Sequence, residues 1–211
     1  TEHVAQNKAK HDKPKTVKEM KQAIKDKEVA KPDYSGISSN LSPKQIAKLA
    51  NSSKAESLRG YVSVPSYNIN QPIYEGTSEH VLALGVGTVQ RNIKMGQGYL
   101  VLLGHNMGDS KTYPTKFSAM QNMSKASVIG KSIIVTVGKQ QYTYKITNFE
   151  RGVPVQTFNL SIATNEHKQM AKPTIQLVAC DEDEEFMAHL KASNYTDYTC
   201  NKRLILTGEL Q

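Results

Sequence analysis

Residues 133–149 read IIVTVGKQQYTYKITNF, and the pattern of these seventeen positions decides the fold class. From Ile133 to Val137 every residue except Thr136 is apolar, the composition expected of a strand buried on both faces. From Gln141 to Phe149 the chain alternates: Tyr142, Tyr144 and Ile146 share one face, while Gln141, Thr143, Lys145 and Thr147 share the other. Gly138-Lys139 joins the two runs in the manner of a hairpin turn.

Outward from this hairpin the same texture continues. Tyr61–Val64 and Ile69–Tyr74 read as two strands punctuated by Gly60, Pro65 and Gly76, and Gly98 and Gly104 bracket an apolar strand over Tyr99–Leu103. Downstream, Ile175–Ala179 predicts a strand ending at Cys180, Asp181–Ala192 a helix with an acidic first turn, and Arg203–Thr207 a last strand. The stretch from Gly152 to Pro173 has no clear period and exceeds the usual connection, which marks it as a candidate substrate-binding loop. The whole of 59–211 therefore reads as one mostly β domain.

Residues 1–58 differ. They hold twelve lysines and no arginine against seven acidic residues, with Tyr34 as the lone aromatic, too little apolar material for a core of their own. They are expected to form a lysine-rich tether, partly helical or disordered. Val17, Met20 and Ile24 lie at helical spacing, and Ser42-Pro43 ahead of Ile46, Leu49 and Ala50 reads as an N-cap and first-turn proline. The net charge of +8 thus resides mostly in this arm, so it does not argue for a nucleic-acid partner and none is expected. No apolar run approaches the roughly 18 to 20 residues that span a bilayer. The two cysteines form neither a CxxC motif nor a Cys/His metal spacing, which excludes a disulfide scaffold and gives no support to a zinc site.

Three ionisable side chains sit at strand ends: His105 after YLVLLG, Cys180 after TIQLVA, and Arg203 opening RLILTG. Attack on an amide needs a thiolate, a group that protonates the leaving amine, and a donor for the oxyanion, and these residue types supply all three. Taken singly each has a plainer reading, as a small buried hydrophobe, a structural histidine or a surface charge.

Their combination is more specific. RGYVSVPSYNINQPIYEG (59–76), GYLVLLGHNM (98–107), IQLVAC (175–180) and RLILTGEL (203–210), in this order and separation, resemble the sortase family and most closely its class A, housekeeping members. The resemblance covers about residues 59–211. It implies a mostly β fold, a closed eight-stranded barrel with short helices, and a membrane-anchored cysteine transpeptidase at the extracellular face of a Gram-positive cell, the anchor lying upstream of residue 1. The implied substrates are LPXTG-type surface proteins, cleaved after threonine, with a cell-wall precursor amine as acceptor.

On that resemblance Cys180 is the nucleophile, His105 the proton donor and acceptor, and Arg203 the donor to substrate or oxyanion. Leu103, Val178 and Ile205 would line an apolar groove for the Leu-Pro part of the signal. No cofactor is expected; calcium at the acidic run Asp181–Glu185 is a further reading that matches no loop motif. The same run should oppose a Cys180 thiolate that Arg203 and the helix N-terminus favour. The chain departs from the family's TLxTC motif, having Gln176 and Ala179 where threonines are usual, which removes a hydroxyl expected beside the nucleophile. That departure motivates two alternatives, a sortase-like binding module with weak or no turnover and a pilin-polymerising sortase, although the arm shows no aromatic or DPW-like lid segment. Cys200 reads as a free or buried thiol; a bridge to Cys180 would block the nucleophile.

Overall fold

A computed structural model describes residues 2–35, 40–108, 116–165 and 170–211. Eight strands close into a barrel: β1 (Leu58–Val64), β2 (Ile69–Tyr74), β3 (Val86–Thr88), β4 (Tyr99–Leu103), β5 (Ser132–Val137), β6 (Gln140–Pro154), β7 (Thr174–Cys180) and β8 (Lys202–Leu210). Around the barrel they run β1-β2-β3-β4-β7-β8-β6-β5. The pairs β2–β3 and β4–β7 are parallel, and the rest are antiparallel.

The expected hairpin is β5–β6, with Val137 facing Gln140 across the two-residue turn. Gly138 takes the first central position at φ +60°, a conformation with little steric cost only for glycine. Ile133 and Val135 point into the barrel with Tyr144 and Ile146, but Ile134 and Thr136 are only half-buried on the outside. β5 is therefore covered on one face, and its apolar run overstated its burial. β6 extends to Pro154 and shifts register twice, between Ile146 and Asn148 and between Glu150 and Val153. Such bulges bend a long strand so that it can pair with β5 at one end and β8 at the other.

The interior is filled by alternate residues of these strands, among them Val62, Leu100, Leu102, Ile175, Leu177, Leu204 and Leu206, all fully buried. Among the helices, α4 (Glu79–Leu84) carries the parallel β2–β3 crossover, and α5 (Lys125–Val128) precedes β5. The segment after β6, expected to be a loop, continues as helix α6 (Val155–Asn165); residues 166–169 of that expected loop lie outside the described residues. The helix expected from Asp181 begins three residues later, as α7 (Glu184–Ala192), with Asp183 as its N-cap accepting from the Phe186 N–H at 2.9 Å.

The first 58 residues contribute three helices, α1 (Glu2–His11), α2 (Val17–Lys25) and α3 (Pro43–Ala50), the last two opened by capping boxes at Thr16 and Ser42. These helices lie on the barrel. Ala5 and Ala9, four apart on α1 and hence on one face, cover an outer patch of Leu58, Tyr74, Val81 and Leu84. Asp33 lies against Gly76 so closely that a Cβ there would come within 2.6 Å of the Asp33 carbonyl oxygen. A buried Arg59–Glu75 ion pair stitches the two parts together, since Arg59 also donates through Nε to the Lys15 carbonyl at 3.0 Å. The arm builds no core; it lends small side chains to the outside of another. No helix among the described residues is long and apolar enough to cross a membrane.

Candidate active site

Strand register sets most of the site's frame. In the β4–β7 pair Leu103 faces Val178, and in the β7–β8 pair Val178 faces Ile205 and Cys180 faces Arg203. Leu103, Val178 and Ile205 thus form one row across three strands. Two residues further along, on the same outward side, His105, Cys180 and Arg203 follow at the rim. The alternation that fills the barrel with Leu177 and Ala179 turns Val178 and Cys180 outward.

Gly104 makes the exit from β4 possible. Its N–H donates to the Val178 carbonyl at 3.0 Å, and a Cβ on it would meet the Phe117 ring at 2.6 Å. The ring packs there instead, and the Phe117 N–H donates to the His105 carbonyl at 3.1 Å, fixing the histidine backbone.

At the rim, Arg203 Nη1 lies 3.6 Å from Cys180 Sγ while donating to the carbonyls of Cys200 at 2.8 Å and Lys202 at 3.0 Å. His105 and Cys180 line one cavity of about 240 Å³. His105 is buried, and its Nε2 has no hydrogen-bond partner among the described residues. Burial and, secondarily, the nearby Lys116 ammonium push its pKa down to about 4, so the imidazole rests neutral. Cys180 is raised above the ordinary thiol range by the neighbouring Cys200 thiol and by burial, against the pull of Arg203. The resting pair is a neutral thiol and a neutral imidazole.

The Leu103–Val178–Ile205 row belongs to a second apolar cluster outside the barrel, with Tyr99, Val101, Leu82 from α4 and Phe158 from α6. Phe158 is among the side chains that pack in this cluster, and all three residues of the row are buried. Gln176 lies in the row beneath, where its side chain accepts from the Tyr99 hydroxyl at 2.6 Å and donates to Thr207 at 3.1 Å. Ala179 points into the barrel, away from Cys180. A hydroxyl at 179 would therefore not stand beside the nucleophile, and the expected loss at that position does not fall on the thiol's own side of the strand.

Several residues at the site escaped the sequence reading. Asn106 donates to the Cys180 carbonyl at 2.9 Å and to Gln121 at 2.7 Å, and Gln121 in turn accepts from the Glu182 N–H at 3.0 Å. Asp181 is buried rather than exposed in a helix turn, and it accepts from Gln121, Arg151 and the Gly152 N–H at 2.9–3.0 Å. The acidic run is thereby dispersed, because Asp183 caps α7 and pairs with Lys202 at 2.8 Å. Glu182 faces the cavity, and burial, reinforced by Cys200, pushes its carboxyl up to about 8. Among the described residues no three His, Cys, Asp or Glu side chains converge as a metal centre. The acidic run was singled out in the sequence as a whole, but for Asn106 and Gln121 the one sequence signal was the adjacency of Asn106 to His105.

Leu41, Pro43 and Ile46 of the arm form the opposite wall of the cavity. Asn40 anchors that segment, donating to Asp197 at 3.0 Å and accepting from the Tyr198 N–H. A larger cleft of about 850 Å³ lies elsewhere, between α2 and the barrel, but its lining contains lysines and no cysteine, histidine or carboxylate.

Comparison with known proteins agrees with this fold. The sortase-domain family model matches residues 62–208. Sortase A of Bacillus anthracis is 28% identical over 117 residues, 55% of this chain and 52% of that protein. Sortase A of Staphylococcus aureus (strain NCTC 8325 / PS 47) is 28% identical over 173 residues, 81% of this chain and 69% of that protein. Sortase A of Streptococcus agalactiae serotype III is matched over 58% of its length, so the chain spans little more than half of some of these relatives. Among solved structures, Listeria monocytogenes sortase A superposes with a TM-score of 0.54 at 22% identity, covering 73% of this chain and 87% of that one. Sortase C-1 from Actinomyces oris gives 0.54 at 20% identity, covering 100% and 99%.

Proposed function

The chain belongs to the sortase family, and on that premise we propose that it is a cysteine transpeptidase that cleaves an LPXTG-type sorting signal after threonine and passes the acyl group to a cell-wall precursor amine. The observation that supports the reading is the β7–β8 register, which sets Cys180 opposite Arg203, together with the cavity that His105 and Cys180 both line. The family's setting suits an enzyme at the outer face of a Gram-positive membrane, held by an anchor N-terminal to residue 1.

In this mechanism Cys180 Sγ bonds to the threonine carbonyl carbon, and Arg203 donates to the substrate or to the oxygen that gains charge. The C–N bond breaks as the departing glycine amine takes a proton from His105, leaving a thioester on Cys180. The acceptor amine then attacks the thioester, His105 takes its proton, and the C–S bond breaks to release the new amide. Both groups rest neutral, so the reactive thiolate–imidazolium pair is a minor population, formed by moving one proton from Cys180 to His105. The apolar row would hold Leu-Pro of the signal, and the wall formed by Leu41, Pro43 and Ile46 would bound the other side of the site.

A fluorogenic LPXTG peptide with and without an amine acceptor tests the reading. Wild type should cleave it, and Cys180→Ala should lower the rate by about 10³-fold or more. Binding of the peptide without any cleavage by wild type would overturn the enzyme in favour of a binding module.

A further inference from the structure

The mechanism uses Cys180 and has no task for Cys200, yet the fold brings the two thiols together. The chain ahead of β8 crosses the end of β7, because Cys180 pairs with Arg203 in the β7–β8 register and Cys200 lies three residues earlier. Both cysteines line the 240 Å³ cavity, and Arg203 bridges them, its Nη1 lying 3.6 Å from Cys180 Sγ and donating to the Cys200 carbonyl at 2.8 Å. Neither is in a disulfide. Cys200 Sγ is also held 3.3 Å from the carbonyls of Asp181 and Lys202, while its own carbonyl accepts from Arg203. A second, smaller cleft of about 170 Å³ opens onto Cys200 from the side of α7, so small solutes can reach the pair by two routes.

We propose that Cys180 and Cys200 form a reversible redox pair: a hydroperoxide converts the two thiols into an intramolecular disulfide, which spares Cys180 from irreversible oxidation and which a thiol reductant reopens. The step balances. One sulfur, as thiolate, attacks the peroxide O–O bond; an S–O bond forms and hydroxide leaves, taking up a proton as water. The second thiol attacks the sulfenic sulfur, an S–S bond forms, and the hydroxyl leaves with the thiol proton as a second water. Two thiols are oxidised by two electrons in all, and the peroxide is reduced.

The electrostatics suit this chemistry. Arg203 supports one negative charge on the pair, and the neighbouring thiols divide the load, Cys200 being brought down to about 7 while Cys180 keeps its proton. The two sulfurs must close to about 2 Å to bond, a movement that side-chain rotation and the irregular segment ahead of β8 can supply. Silencing of turnover by the bridge rests on the transpeptidase reading above; the pairing of the sulfurs does not.

The test reads masses rather than activity, so failure of peptide cleavage and failure of the pair are distinguishable. The full chain is treated with hydrogen peroxide, remaining thiols are blocked, and the protein is digested and weighed. Wild type should lose two hydrogens, yield one cross-linked species joining the peptides of Cys180 and Cys200, and regain both thiols with dithiothreitol. In Cys200→Ser, Cys180 should pass to the sulfinic and sulfonic acids about tenfold faster than in wild type and resist the reductant. Cys180→Ser, which keeps Cys200, should give no internal cross-link. Accumulation of higher oxides on wild-type Cys180 at the rate of Cys200→Ser, or a bridge found only between molecules, would overturn the proposal, and the wild-type measurement stands even if a variant folds poorly.

Discussion

Glu182 shows how a single side chain can report on the site's environment. Its carboxyl is half-buried against the cavity and prefers its proton, with a folded pKa of about 8 against an ordinary value of 4.5. Between those two values an unfolded chain has released the proton while the folded chain still holds it. Stability from this residue is therefore complete below about pH 4.5 and declines as pH rises toward 8. Urea midpoints at pH 5 and pH 8 should show wild type losing more stability across the interval than Glu182→Gln; equal losses would place the carboxyl in water. The same scale shows which residues a sequence can yield. His105, Cys180 and Arg203 were legible because strand ends are marked by glycines and by the end of apolar runs. Asn106, Gln121 and Asp181 were not, since a buried polar network joins residues with no shared period, and the dense charge of 181–185 looked like a solvated helix turn.

Among elements, the strands were read with bounds correct to a few residues, whereas α6 was missed. VQTFNLSIATN carries β-branched residues and little one-sided apolar pattern, and it follows β6 without a capping residue, so nothing local announces a helix. Its Phe158 nonetheless packs in the same apolar cluster as the Leu103–Val178–Ile205 row. If that row receives the apolar part of a sorting signal, the ring must be a neighbour of the bound peptide. Phe158→Ala should raise the KM for an LPXTG peptide by about tenfold while changing kcat by less than about threefold, because removing a buried aromatic contact remote from the reacting bond weakens binding in ground state and transition state alike. Equal falls in kcat and kcat/KM would instead tie α6 to the chemical step. Strand β3, three residues long, was missed for a simpler reason: Val86–Thr88 is too short to show alternation.

At the scale of the molecule, the lysine-rich arm's contribution to the barrel was invisible in the sequence because alanines carry so little signal. Ala5 and Ala9 are each 1% exposed beneath α1. Ala5→Glu, which buries a charge in an apolar patch, should destabilise the whole protein by about 2 kcal/mol or more, read as a fall in the thermal midpoint; an unchanged midpoint would mean that the arm is dispensable to the barrel. The parallel pairing of β4 with β7 also has a consequence in time. These strands lie some seventy residues apart, and contacts closing so long a loop form late, whereas the twenty-residue span between Cys180 and Cys200 closes early. A newly emerged chain should therefore pass through a stage at which its two sulfurs have met while His105 is still far away, so that the nucleophile has a chaperoning thiol before it has a partner for catalysis.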